Sequence, residues 1–166
     1  MRATVAGITR SRTRGLAVVA AAGLVGLAAA CGGTPFEVIE ELEFAPSLGI
    51  ELDSMELLPS GAYIQDLVIG PGNTVFPVST ARVRYFGYLA NGSNFGDGEF
   101  TFELGTGAVI PGFELGVLGM NQGGERRIII PPNLGYGEEE QGLIPAGSVL
   151  IFEVEMLEVF GETPAN

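Results

Sequence analysis

The chemistry open to this chain is narrowed first by a residue it lacks. There is no histidine among its 166 residues, so Ser-His-Asp and Cys-His nucleophilic machinery is excluded, and with it the commonest transition-metal ligand. The carboxylates are plentiful but not arranged as ligands. Glu37, Glu40, Glu41 and Glu43 read as a solvated face, and Asp97, Glu99 and Glu138 to Glu140 lack the alternating oxygen-ligand loop of known calcium sites. No metal and no cofactor is expected. What remains is a supply of ten phenylalanines and four tyrosines, set in short segments closed by Gly, Pro or Asn. Chemistry here needs a route without a titrating group.

The elements that must position such residues follow from the rest of the pattern. Arg2, Arg10, Arg12 and Arg14 precede an uncharged run of 16 residues, 15–30, which is too short for the ~20 residues of a permanent membrane helix. This is the pattern of a secretion signal. It ends at Ala28-Ala29-Ala30-Cys31, which resembles a bacterial lipoprotein processing site, although Leu27 lies one place further from the cysteine than is usual; ordinary signal cleavage is the alternative. Cys31 is the only cysteine, so no internal disulfide can form and the fold must be held by its core. After Cys31 there are twenty carboxylates and four arginines, a formal charge of −16. That field opposes nucleic acid and anionic headgroups, so membrane attachment is expected only through acyl chains on Cys31. The expected location is the cell envelope or periplasm.

Residues 31–60 read as a tether with some local structure, 61–160 as one domain, and 161–166 as a tail. Within the domain, β-branched and aromatic segments predict strands at 62–69, 81–89, 99–104, 126–130 and 149–160. In the second, Val83, Tyr85 and Leu89 alternate with Arg84, Phe86 and Tyr88, which puts the two sets on opposite faces. Asn91-Gly92 signals a tight hairpin in which both residues accept positive φ. One short helix is expected over 113–120, introduced by Pro111-Gly112. The fold class is therefore α+β, about five antiparallel strands with one short helix packed on one sheet face.

The same stretch resembles the FKBP family of peptidyl-prolyl cis-trans isomerases through a series of pieces in order. These are Val83-Arg84-Tyr85-Phe86-Gly87-Tyr88-Leu89, Asn91-Gly92 through Phe95, and Phe100-Thr101-Phe102-Glu103-Leu104-Gly105, followed by Val109-Ile110-Pro111-Gly112-Phe113-Glu114. Gly123-Gly124-Glu125-Arg126-Arg127, Pro131-Pro132-Asn133-Leu134-Gly135-Tyr136-Gly137, Ile144-Pro145 and Leu150-Ile151-Phe152-Glu153-Val154-Glu155 complete it. The resemblance implies a twisted antiparallel sheet of about five strands wrapped over the short helix, and between them a prolyl-binding hollow lined by Tyr85, Phe95, Phe100, Val109, Ile110, Phe113, Tyr136, Ile144 and Phe152. It implies that the Ile110 N–H and the Tyr136 hydroxyl bond the substrate, and that clients are prolyl segments of folding proteins, with tacrolimus or rapamycin as candidate ligands.

Two departures from the family pattern stand out. Phe113 occupies a position where many members have Trp. Where members often have Asp directly after the pocket phenylalanine, this chain has Gly96 and then Asp97, and Asp97 is expected to turn inward and bond Tyr85; the alternative is that the carboxylate is lost from the pocket and Asp97 lies in solvent. The loop Gly137-Glu138-Glu139-Glu140-Gln141-Gly142-Leu143-Ile144 is expected to overhang the hollow. Its glutamates either disfavour acidic clients or are simply solvated. The alternative to an isomerase is a client-binding chaperone or assembly module with the same shape and weak catalysis.

Overall fold

The structure, a computed structural model, describes residues 36–161; the expected signal segment, Cys31 and residues 162–166 lie outside them. Strands β1 (Glu56–Leu57), β2 (Tyr63–Val68), β3 (Thr80–Leu89), β4 (Asn94–Glu103), β5 (Glu125–Ile130) and β6 (Leu150–Phe160) form one sheet in the order β1-β2-β5-β6-β3-β4. All five pairings are antiparallel. The two-residue β1 is a sixth strand that the sequence pattern did not announce, and β4 begins five residues earlier than its aromatic segment suggests. Gly96 and Gly98 dilute the strand signal there, and pairing with β3 overrides it.

The β3–β4 hairpin is present but is not the tight two-residue turn. Only Gly92 has positive φ, at 84°; Asn91 instead uses its side-chain oxygen to accept from the Ser93 N–H, and Leu89 N–H donates to the Ser93 carbonyl. A longer loop with one left-handed glycine closes the hairpin.

Helix α1 (Pro111–Val117) has proline at its start, where a missing N–H costs nothing. It stops short of Met120 because Leu118 turns extended and Gly119 takes φ 76°. The helix lies on the sheet with no side chain at two of its contact points. A Cβ at Gly112 would overlap Ile130, and one at Gly116 would meet Ile128 at 2.5 Å, so only glycine permits this approach. Around this contact Phe113, Val117 and Met120 pack with Val83, Phe152, Val154 and Met156 as the main core.

Around Ile129 and Ile151 on β5 and β6 the other face of the sheet is also buried. Ile128-Ile129-Ile130 and Leu150-Ile151-Phe152 are inaccessible or nearly so along their whole length, as strands covered on both faces must be. What covers the second face is the segment expected to be a tether. From Ile39 onward it crosses the sheet in three short 3-10 turns, Ile39–Glu41, Pro46–Leu48 and Leu52–Ser54. Ile39 and Leu48 seat among Tyr63, Ala90, Ile129, Val149 and Ile151, each burial worth about 1.5–3 kcal/mol. Polar clasps fix the path: Val149 N–H to the Glu37 carboxylate at 2.7 Å, Ala45 N–H to the Ala90 carbonyl at 2.8 Å, and Tyr63 hydroxyl to the Glu40 carboxylate at 2.7 Å.

The last clasp makes attachment of this strap pH-dependent. The Tyr63 hydrogen bond holds the Glu40 carboxyl below its ordinary value, and the Glu40 carboxylate, aided by burial, holds the Tyr63 hydroxyl above its own. A depressed carboxyl contributes stability above its unfolded value of 4.5 and loses it as pH falls through the folded value; a raised phenol contributes below 10.0 and loses it as pH rises further. We predict that Tyr63→Phe lowers urea stability by about 1 kcal/mol or less at pH 7, Glu40 being exposed. The gap to wild type should shrink at pH 3.5; an equal gap at both pH values would show that the clasp contributes nothing through charge.

Candidate functional site

Between the inner faces of β3, β4 and β6, the start of α1 and two loops lies a hollow of about 670 Å³. Alternation places most of its rings, and a register shift beside Gly87 that leaves Phe95 without an opposite residue accompanies the placing of the Phe95 ring. Val83 and Tyr85 on β3 stand opposite Phe100 and Gly98 on β4, with the neighbouring Arg84 and Glu99 turned outward and paired at 2.6 Å. On β6, Phe152 stands opposite Gly87, and the Phe95 ring lies over that same glycine, where a Cβ would overlap it.

The rings then brace one another edge to face. Phe113, 3 % exposed, meets Phe152 at 5.2 Å and 83°; Phe152 meets Phe95 at 5.5 Å and 82°; Tyr85 meets Phe100 at 5.5 Å and 76°. Each such pair adds about 0.5–1.5 kcal/mol beyond its burial, and together they keep the hollow from collapsing. Phe102 touches Phe100 and Phe113 from behind and belongs to the core.

Two residues that line this hollow carry polar groups with no partner among the described residues. Ile110 sits at the helix N-cap, its carbonyl accepting from Phe113 and Glu114 N–H, while its own N–H has no acceptor among the described residues. Tyr136 follows the 3-10 turn Pro132–Leu134 and lines the hollow, and its hydroxyl bonds no described residue; of the tyrosine hydroxyls, Tyr63's alone is bonded, to Glu40.

The helix that carries Ile110 and Phe113 is held at its far end by Arg126. This residue, 5 % exposed, donates to the Gly116 and Leu118 carbonyls at 2.9 Å and grips Asp66 with two nitrogens at 2.7 and 3.1 Å. A cation at a helix C-terminus satisfies carbonyls that the helix cannot.

Tyr85, Phe95, Phe100, Val109, Ile110, Phe113, Tyr136, Ile144 and Phe152 all line the hollow. Asp97 does not. Strand alternation puts it opposite Phe86 on the outer, exposed face, and Gly96 takes the inward place, where a Cβ would lie 3.8 Å from the Tyr85 hydroxyl. The expected inward turn is absent because Asp97 pairs with Phe86 and Gly96 with Gly87, and the register shifts only beyond them, at Phe95. Gly107, Ala108 and Gln141 also line the hollow and were missed. Gln141 is brought there by a tight turn in which it and Ile144 exchange two backbone hydrogen bonds at 2.9 Å, a pairing without a sequence signal. Glu138, Glu139 and Glu140 do not line it.

Comparison with known proteins decides the family. The family model for FKBP-type peptidyl-prolyl cis-trans isomerases matches residues 72–157. This chain belongs to that family. It is similar to FK506-binding protein 4 of Chaetomium thermophilum, 41% identical over 118 residues that make up 69% of this chain and 23% of that protein. It is also similar to FK506-binding protein 3 of Candida albicans, 43% identical over 104 residues, 60% of this chain and 24% of that protein. The chain thus spans about a quarter of the length of the curated relatives it matches. Among solved structures, AtFKBP13 superposes with a TM-score of 0.59 at 33% identity, covering 63% of this chain and 97% of that one. FkpA from Escherichia coli gives 0.59 at 30%, covering 69% and 55%.

In this FKBP domain the Gly87 backbone is the shelf for the Phe95 ring. We predict that Gly87→Ala costs about 1–3 kcal/mol in urea unfolding by displacing that ring. Adding Phe95→Ala to Gly87→Ala should make the pair less costly than the sum of the single changes; strict additivity would show that the ring and the glycine do not meet.

Proposed function

We propose that the domain is a peptidyl-prolyl cis-trans isomerase. The observation that carries this reading is a ring-lined hollow in which two lining residues, Ile110 and Tyr136, offer a backbone N–H and a hydroxyl that have no partner among the described residues. Isomerisation breaks no covalent bond; its barrier of ~18–20 kcal/mol is lost amide resonance. A planar amide is more dipolar than a twisted one. Taking the prolyl peptide out of water among Tyr85, Phe95, Phe113 and Phe152 therefore disfavours the planar ground state relative to the twisted form, which is differential binding of the transition state. The Ile110 N–H and Tyr136 hydroxyl hold the substrate carbonyls while the bond turns. None of these groups has to gain or lose a proton, in keeping with a chain that has no histidine.

The full chain, purified in detergent, is expected to accelerate conversion of Leu-Pro and Phe-Pro peptides, with tacrolimus or rapamycin blocking it. Uncatalysed conversion takes tens to hundreds of seconds, so modest catalysis is measurable. Tyr136→Phe should lower kcat/KM by roughly three- to tenfold, the worth of one hydrogen bond. A rate equal to buffer at high protein concentration, without macrolide binding, would replace the isomerase by a client-binding chaperone of the same fold.

We also propose that the domain works in the cell envelope on folding exported proteins, anchored by acyl chains on Cys31. The basic N-terminus, the apolar run and the single cysteine after it support this. Labelled palmitate should enter the wild type and not Cys31→Ser, which should leave the membrane fraction. Unlabelled wild type would point to ordinary signal cleavage.

A further inference from the structure

The loop between Tyr136 and β6 brings Gln141 and Ile144 to the hollow, and its own hydrogen bonds are local. Glu139 N–H donates to the Tyr136 carbonyl at 3.1 Å, Gln141 and Ile144 exchange two bonds at 2.9 Å, and the Ser148 hydroxyl donates to the Pro145 carbonyl at 2.8 Å. At the neck of the loop the Gly147 N–H donates to the Gly137 carbonyl at 2.7 Å, and the Gly137 N–H to the Pro132 carbonyl at 2.9 Å. Ile144 seats in the main core. The bonds shape the loop, but none of them ties its neck to another part of the chain.

That tie comes from the strap. The Glu37 backbone N–H donates to the Gly147 carbonyl at 3.0 Å, and the Glu37 carboxylate accepts from the Val149 N–H at 2.7 Å. Among the described residues, the first of these is the one hydrogen bond that joins residues 137–148 to any part of the chain outside 132–148. The second serves a donor on a fully buried residue, where a lost acceptor is costly. Glu37 thus clamps the neck on both sides of Ser148, two residues from one end of the loop and next to the first residue of β6. It lies well outside residues 72–157, the stretch that the family model matches.

We infer that Glu37 is a positioning residue for the hollow: by clamping Gly147 and Val149 it holds the loop where Tyr136, Gln141 and Ile144 meet the substrate. The inference rests on the isomerase reading and adds to it a residue from the strap. A loop that must be in place before a ligand can bind lowers the apparent affinity by the fraction of molecules in which it is in place. Bound substrate then holds the loop itself. Loss of the clamp therefore acts on KM and spares kcat.

Kinetics of the full chain in detergent on a Leu-Pro peptide test this. Glu37→Ala should raise KM about three- to tenfold, the worth of one hydrogen bond, with kcat within about twofold of wild type. Glu37→Gln keeps the reach and the acceptor oxygen and should stay near wild type. Glu37→Asp keeps the charge but is one methylene short, and should behave as Glu37→Ala. Tyr63→Phe removes the other carboxylate clasp of the strap and should leave KM unchanged, which separates the clamp from general loosening of the strap. In amide hydrogen exchange, Gly147 and Val149 should lose protection in Glu37→Ala while the amides of β3 and β5 keep theirs. If Glu37→Ala shows no thermal unfolding transition, the contrast between Glu37→Gln and Glu37→Asp carries the comparison. With an active wild type, equal KM across the Glu37 variants would overturn the inference and leave the isomerase in place. So would a rise in KM that Tyr63→Phe matches. A wild type inactive on the peptide would overturn the isomerase reading and the role of Glu37 with it.

Discussion

The depth of the hollow depends on how closely α1 can approach β5. Two glycines one helical turn apart, Gly112 and Gly116, let the helix backbone rest on Ile130 and Ile128, and Arg126 from the same strand fastens the helix end by its carbonyls. The contact is short-range and rigid, so Phe113 and Ile110 are set at one height above the sheet. If the helix stood further off, the Phe113 ring would no longer meet Phe152 and Phe100, and the braced aromatic cage would lose its floor. The charge of Arg126 belongs to this support, being balanced by Asp66 across the β2–β5 pair.

That contact in turn needs a strand with no free face. Ile129 and Ile151 point away from the helix and are nonetheless fully buried, because the segment from Ile39 to Met55 lies over them. The strap is thus part of the packing of the site-bearing sheet. Its Glu37 clasp reaches the Val149 N–H, at the base of the loop that carries Ile144 into the hollow. The remaining arginines, Arg82, Arg84 and Arg127, are paired with Glu158, with Glu99 and Glu155, and with Glu153 on the strands. Every arginine among the described residues is therefore matched to a carboxylate, and the surplus acid remains to keep the surface strongly anionic.

The sequence was legible where local pattern and tertiary context agree. Strands β3, β5 and β6 have β-branched and aromatic runs, and their ends fell within a residue or so of the expected ones. The nine lining residues were readable through resemblance, since motif order fixes which rings share a face. The strap was not readable, because its apolar residues, spaced among glutamates and prolines, follow neither a helical nor a strand period. The continuous apolar runs Ile128-Ile129-Ile130 and Leu150-Ile151-Phe152 did contain the matching clue, a strand with both faces covered. Asp97 misled because nearness in sequence was read as nearness in space; a one-residue offset along a strand reverses the face.

The residues alone determined that no histidine chemistry and no internal disulfide could operate, that an antiparallel sheet would carry one short helix, and that aromatic rings would be in good supply along the strands. Those follow from composition and periodicity, which are properties of the chain before it folds. Tertiary structure decided which glycines are close contacts, because a Cβ at Gly116 would meet Ile128 at 2.5 Å whereas one at Gly96 would meet the Tyr85 hydroxyl only at 3.8 Å. It also decided that Asp97 lies on the outer face and that the Tyr85 hydroxyl bonds no described residue. Such distinctions depend on what lies across the gap from a backbone atom, and only the packed sheet and helix bring that neighbour into place.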